Sequence, residues 1–129
     1  MTPIIMLTAA MSALGCALMV SQFAMKKETE AHMMRGILVL TIPVAVVIIN
    51  TIAVTAERDL IWDAPFTLHV LTGGGFFLFA SLALAYGYKT MEHGTAYRAI
   101  HAMHARIACA FLASSLALGA VVYWVRHGT

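Results

Sequence analysis

Four long apolar stretches alternate with short charged ones along the chain. The apolar stretches cover roughly residues 4–25, 35–56, 66–88 and 100–125. Each is close to the roughly 20 residues that a helix needs to cross about 30 Å of hydrocarbon. The short connections favour consecutive helices that run in opposite directions. The pattern predicts an all-α protein, an integral membrane up-down-up-down four-helix bundle that forms a single domain over residues 1–129.

Composition and charge support this prediction. Hydrophobic residues make up 61% of the chain and charged residues 11%, whereas soluble domains average about 45–50% and about 25%. The formal net charge is only +2, and the basic residues are scattered, which argues against a nucleic-acid partner. The first 25 residues contain no Lys or Arg, so we interpret the first apolar stretch as a retained span rather than a cleavable signal.

The distribution of basic residues predicts the orientation. The side of the membrane that is richer in Lys and Arg is the cytoplasmic one. Both termini are therefore expected on the non-cytoplasmic side of a bacterial inner membrane. The residues on the richer side are Lys26, Lys27, Arg35, Lys89 and Arg98, and those on the other side are Arg58 and Arg126.

Each predicted span has one face of small and polar residues at helical spacing, which we expect to face protein rather than lipid. Asn50 in the second span is expected to face inward for the same reason. The triplet Gly73–Gly75 offers close approach to a flat ligand or to another helix. The four faces are Thr8, Ser12, Gly15, Met19 and Gln22; His32, Gly36, Val39, Pro43, Val46 and Asn50; His69, Gly73, Phe76, Ala80, Ala83 and Gly87; and His101, His104, Ala108, Ser115, Gly119 and Val122.

Three histidines on these faces lie near the predicted cytoplasmic surface. His32 begins the second helix, and His101 and His104 begin the fourth. Ionisable residues in a membrane span are functional candidates by default. Imidazoles from two helices of a four-helix bundle are the ligands of a bis-His haem b. The alternative without a cofactor is that the three histidines contact lipid headgroups and water.

A non-haem metal ion is a further alternative for the same residues. His32, His101 and His104 would supply three nitrogens, and Glu28 or Glu30 an oxygen, which suits zinc, copper or iron. Thioether groups nearby would favour Cu(I). These methionines are Met33, Met34 and Met103.

His69 lies at the opposite end of its helix. A thioether from Met6 or Met11 would complete a His/Met haem site there. Trp62 and Asp63 would instead form a quinol pocket with His69, because a His beside an Asp is suited to proton transfer. His93, in a predicted loop, and His127 are expected to be solvated, and Cys16 and Cys109 to be packing residues.

The arrangement of histidines resembles that of a small four-helix membrane family, the CtaM-like and YozB-like proteins. The resemblance covers about residues 15–124 and lies in the segments EAHMMRGIL, FTLHVL and YRAIHAMHARIA to LGAVVYWV. It implies a role in the maturation of haem-copper terminal oxidases, with His32, His69 and His101 or His104 at the family's histidine positions. The family usually has Tyr and His where this chain has Asn50 and Thr51.

These features predict a redox-associated membrane protein that binds haem b or a metal. It would act in respiratory oxidase assembly or in electron transfer with quinone. A non-catalytic accessory subunit of a larger complex, docking through the small-residue faces of the third and fourth helices, is the main alternative. A pore formed by homo-oligomers is a further alternative. The sequence contains no hydrolase motif. The pattern of apolar and charged residues predicts no strong internal repeat.

Overall fold

The computed structural model describes residues 3–24, 30–57 and 62–128, and these residues are almost entirely helical. No β-strand occurs among them, so the all-α prediction is confirmed. The elements within these ranges are α1 (Pro3–Ala24), α2 (Glu30–Glu57), α3 (Ala64–His93), a 3-10 turn (Gly94–Tyr97) and α4 (Arg98–His127).

The helices are longer than the apolar stretches that predict them. α2 already begins at Glu30, so His32 lies in its first turn, and α3 continues through Lys89 to His93. The prediction of a loop at His93 is therefore wrong, although its side chain is exposed as expected. Helices extend beyond their apolar part because polar residues with good helix propensity cost little there. Gly94, with φ of 72°, ends α3, because this backbone conformation favours glycine.

A side-chain cap fixes the start of α3. Asp63 Oδ1 accepts a hydrogen bond of 2.8 Å from the backbone N–H of Phe66, and Pro65 occupies the first turn. Carboxylate caps satisfy N–H groups that have no partner within the helix, and proline is tolerated there because its missing N–H is not needed. The beginning of α3 is thus set by local sequence.

The chain divides into two compact units, Met1–Leu60 and Ile61–Thr129. In the first unit α1 and α2 pack antiparallel, with Gly15 opposite Ile42 and Arg35 opposite Ser21. The predicted inward face of α1 is confirmed, since Thr8, Gly15 and Met19 are buried.

The inward face of α2 is confirmed only in part. Val39 is 7% exposed, and Gly36, Pro43 and Val46 are half-buried, but Asn50 is exposed. The prediction that Asn50 faces protein is wrong for this structure.

In the second unit α3 and α4 form a long antiparallel hairpin. The predicted inward faces of both helices are confirmed by the burial of Phe76, Ala83, Ala108 and Ser115, of which Ala108 is completely buried. Two glycines of the triplet Gly73–Gly75 face α4: a methyl group added at Gly75 would lie 2.5 Å from the Phe111 ring, and one at Gly73 would lie 3.4 Å from the Ser115 hydroxyl. Close packing against small residues is the usual basis of helix association in membranes.

Two helical stretches among the described residues are long and apolar enough to cross a membrane. They are Glu30–Ile52, with mean hydropathy 2.1, and Ala64–Arg126, with mean hydropathy 1.9, the latter covering both α3 and α4. A shorter apolar stretch, Leu7–Gln22, lies in α1. In the most apolar part of these two long stretches, only 6% and 11% of the residues are buried.

Candidate functional site

Two histidines of the α3–α4 hairpin bind backbone carbonyls of the opposite helix. The Nδ1 atom of His69 lies 2.7 Å from the carbonyl oxygen of Ser115, and that of His101 lies 2.7 Å from the carbonyl oxygen of Ala83. A carbonyl oxygen only accepts hydrogen bonds, so Nδ1 carries the hydrogen in both rings. In the neutral ring the lone pair is then on Nε2.

Each of these rings also lies directly over a glycine. A methyl group added at Gly119 would be 3.0 Å from Cε1 of His69, and one added at Gly87 would be 3.1 Å from Nδ1 of His101. Glycine therefore makes the space in which each imidazole reaches the backbone of the neighbouring helix. We use the name His69 clasp for His69, Ser115 and Gly119, and His101 clasp for His101, Ala83 and Gly87.

The two clasps are related by a sequence repeat. Adding 32 to the number of each residue in α3 gives its counterpart in α4, and both helices contain the pattern H-x9-F-x4-L-A-x-G. Since the helices are antiparallel, the repeat corresponds to a two-fold axis across the hairpin. Phe79 and Phe111, which are counterparts, stack at this axis with ring centroids 5.5 Å apart. The shared positions are His69 and His101, Phe79 and Phe111, Leu84 and Leu116, Ala85 and Ala117, and Gly87 and Gly119.

The Ser115 side chain adds a polar contact to the His69 clasp. Its hydroxyl lies 3.2 Å from Nδ1 of His69 and 3.4 Å from the carbonyl oxygen of the same residue. Ser115 is only 8% exposed. A buried hydroxyl is stabilised by such partners, because burial without a hydrogen bond is costly.

His104 has a different environment from His101, although only one turn separates them. Its Nδ1 lies 2.8 Å from the carbonyl oxygen of Ile100 in its own helix. Its ring stacks on Tyr86 with centroids 5.3 Å apart and lies 5.8 Å from the ring of Phe79. The ring is thus held between two aromatic residues of α3.

Aromatic and basic side chains surround the end of the hairpin near His104. The ammonium group of Lys89 lies 5.4 Å from the ring centroid of Tyr86 and 5.5 Å from that of Tyr97. The Tyr86 and Tyr97 rings are 6.0 Å apart, and His93 lies 6.1 Å from Tyr97. Cation–π contacts of this kind place a positive charge beside the rings.

At the opposite end, the residues predicted to form a quinol pocket have separate partners. Asp63 caps α3, and its Oδ2 lies 3.6 Å from the guanidinium group of Arg126, whereas His69 binds Ser115. Trp62 contacts Phe66, whose ring is 6.5 Å from that of His69. Asp63 therefore caps the N-terminus of α3 and forms an ion pair with Arg126.

His32 belongs to the α1–α2 unit. Its ring is half-buried on the inward face, with Nδ1 shielded from solvent, and its backbone carbonyl accepts a 2.9 Å hydrogen bond from Nε2 of Gln22. One turn later Arg35 donates to the hydroxyl of Ser21 at 3.0 Å. Gln22, His32, Arg35 and Ser21 thus form a polar cluster at this end of the unit.

The other predicted ligands are placed as follows. Glu30 and Met34 are exposed, Met33 is half-buried and Met103 is 50% exposed. Glu28 lies outside the described residues, and no side chain is described for Met6. Cys16 and Cys109 are half-buried and are not joined in a disulfide. Among residues 3–24, 30–57 and 62–128, no group of three His, Cys, Asp or Glu side chains has the geometry to hold a metal ion.

The histidines do have the chemistry of haem or metal ligands. A ligating imidazole almost always donates its other N–H to a carbonyl, a carboxylate or water, which fixes the ring and its tautomer. His69, His101 and His104 all make such a bond through Nδ1. Each neutral ring therefore has Nε2 as its basic nitrogen, as a neutral axial or metal ligand requires.

Comparison with protein-family models, with curated proteins and with solved structures finds no match for this chain. The functional argument therefore depends on the residues themselves. The repeat was the main feature that sequence reasoning missed. Aligning the two apolar stretches from His69 and His101 shows it, because both have a Phe ten residues after the His and LAxG at the same distance beyond that Phe.

Proposed function

We propose that this chain is a small multi-pass protein of the bacterial inner membrane, a four-helix bundle with both termini on the non-cytoplasmic side. It binds haem b, or a copper, zinc or non-haem iron ion, through His32 and one of His101 and His104. It acts in respiratory oxidase assembly or exchanges electrons with quinone. The resemblance of its histidine pattern to the CtaM-like and YozB-like family supports the assembly role.

The observation that supports this proposal is the hydrogen bond that fixes the tautomer and the orientation of the His101 and His104 rings. Nδ1 of His101 and of His104 is committed to a backbone carbonyl, so each neutral ring presents Nε2 as a base of fixed orientation. His32 and the α4 histidines belong to different units, and their joint use as ligands is part of the proposal.

Membrane insertion is supported by the surface of the helices. Large apolar side chains are exposed along the hydrophobic stretches, for example Ile52 at 65%, Leu71 at 63% and Leu78 at 57%. In water such surface would associate, whereas in lipid it is the expected exterior. The small-residue faces of α3 and α4, which an accessory subunit would use for docking, are instead buried against each other.

The proposal is tested by purifying the chain from membranes in detergent and recording its absorption spectrum and metal content. A haem protein shows a Soret band, and a protein that binds another metal contains it in stoichiometric amount. Replacing His32 by Ala is expected to abolish either signal, whereas replacing the exposed His93 by Ala leaves it intact. Retention of the full signal by His32→Ala would exclude His32 as a ligand.

A further inference from the structure

We infer that His101, like His69, is a structural residue of the α3–α4 contact, and that His104 is the α4 histidine that binds the haem or metal ion. This inference rests on the proposed function and assigns one of the two ligands that it leaves open.

The first step is the equivalence of the two clasps. His69 and His101 lie near opposite ends of the hairpin, yet each binds a carbonyl of the other helix at 2.7 Å and lies over a glycine. The proposed function has one cofactor, at the end of the hairpin that carries His101 and His104. An arrangement that occurs at both ends is explained by what both ends share, which is the packing of one helix on the other.

The second step is that His104 departs from the repeat. Its counterpart in α3 is Thr72, whose hydroxyl donates to the carbonyl oxygen of Leu68 at 2.8 Å. His104 binds the carbonyl oxygen of Ile100, the counterpart of Leu68. A threonine therefore makes the same bond to the carbonyl four residues earlier at the equivalent position of α3. The two-fold repeat does not explain why α4 has an imidazole there.

The third step is the orientation of the His104 ring. Phe79 and Tyr86 are seven residues apart on α3, so their side chains lie two helical turns apart, or about 10.5 Å. The centroid distances of 5.8 Å and 5.3 Å place the His104 ring between them. With one aromatic ring stacked on it, a second close by and Nδ1 directed to its own helix, the ring presents Nε2 at the end farthest from its Cβ. This is the geometry of a ligand fixed in advance.

Asparagine substitutions test the assignment. The amide nitrogen of Asn can donate from nearly the same position as Nδ1, but Asn has no atom in the position of Nε2. His69→Asn, His101→Asn and His104→Asn are titrated with ferric haem b and separately with Zn²⁺ and Cu⁺, with His93→Asn as the matched control. We expect His101→Asn and His69→Asn to bind within about threefold of the wild type, and His104→Asn to bind at least about 100-fold more weakly, since ligand loss exceeds the 10–100-fold effect of losing an orienting partner.

Thermal unfolding of the same proteins without added cofactor supplies the second readout. Leucine cannot donate, so His69→Leu and His101→Leu are expected to unfold at a temperature lower by about 2–5 °C than the corresponding Asn variants, as loss of one interhelical hydrogen bond predicts. The difference between His104→Leu and His104→Asn should be smaller, because that bond lies within one helix.

The outcomes separate the inference from the proposed function. Binding by the wild type that is lost in His101→Asn and kept in His104→Asn would overturn the inference and leave the proposed function standing. A wild-type chain that binds none of the three probes would overturn the proposed function and the ligand role of His104 together. Equal unfolding temperatures of the Leu and Asn variants at His69 and His101 would overturn the structural role of those residues.

Discussion

Phe79 and Phe111 stack with their ring planes 12° apart, and each is the tenth residue after a histidine that binds the opposite helix. The two rings therefore mark the two-fold axis of the α3–α4 hairpin. Inverted repeats around such an axis are common in membrane proteins. In this chain the repeat unit is a single helix, and the repeat sets how the two helices align.

Substitution of two adjacent glycines tests the close contact near this axis. A methyl group at Gly75 would lie 2.5 Å from the Phe111 ring, whereas one at Gly74 would meet nothing within 4 Å. We expect Gly75→Ala to lower the free energy of unfolding by about 1–3 kcal/mol through overpacking. Gly74→Ala should raise it by up to about 1 kcal/mol, because alanine is the better helix former. Unfolding in detergent, followed by circular dichroism, measures both; equal effects would contradict the packing described.

Alanine substitutions of the two clasp glycines, Gly87 and Gly119, should reduce stability by similar amounts, because the two glycines have equivalent environments. Gly87→Ala and Gly119→Ala each place a methyl group 3.0–3.1 Å from an imidazole atom, so the ring must shift by a few tenths of an ångström, which strains its short hydrogen bond to the opposite helix. We expect each substitution to lower the free energy of unfolding by about 1–2 kcal/mol. Denaturant unfolding of both variants measures this. A large loss of unfolding free energy for one variant and none for the other would contradict the two-fold relationship.

Two neighbouring serines test the polar part of the His69 clasp. Ser115 is buried against His69, whereas Ser114 is exposed and bonds to the carbonyl of Ala110 in its own helix. Relative to Ser114→Ala, Ser115→Ala is expected to cost about 0.6 kcal/mol, a typical value for an interhelical hydrogen bond in membranes. Denaturant unfolding of the two variants side by side gives this difference, and a value of zero would show that the Ser115 hydroxyl contributes nothing.

Asp63 has two roles that two substitutions can separate. Asn keeps the capping oxygen that binds Phe66 N–H but loses the charge that faces Arg126 at 3.6 Å, whereas Ala loses both. We expect Asp63→Ala to reduce the free energy of unfolding by about 1 kcal/mol. Asp63→Asn should reduce it by less than about 0.5 kcal/mol, since partly exposed ion pairs contribute little. A larger loss for Asn than for Ala would contradict the capping role.

The sequence predicts the helices and most of their inward faces because apolar spacing depends only on helix geometry. It misplaces Asn50, which is exposed, because helical spacing does not show whether a polar residue near a helix end meets a neighbouring helix. It also leaves His101 and His104 equivalent, because both lie on one helical face three residues apart. Only the structure distinguishes them, by showing that His101 reaches across to Ala83 and His104 binds within its own helix.

The most direct test of the proposed function is the absorption spectrum of the wild-type chain purified from membranes, recorded oxidised and reduced, together with its metal content. The account predicts a Soret band that shifts on reduction, or a stoichiometric amount of copper, zinc or iron. A folded preparation without colour and without metal would contradict it.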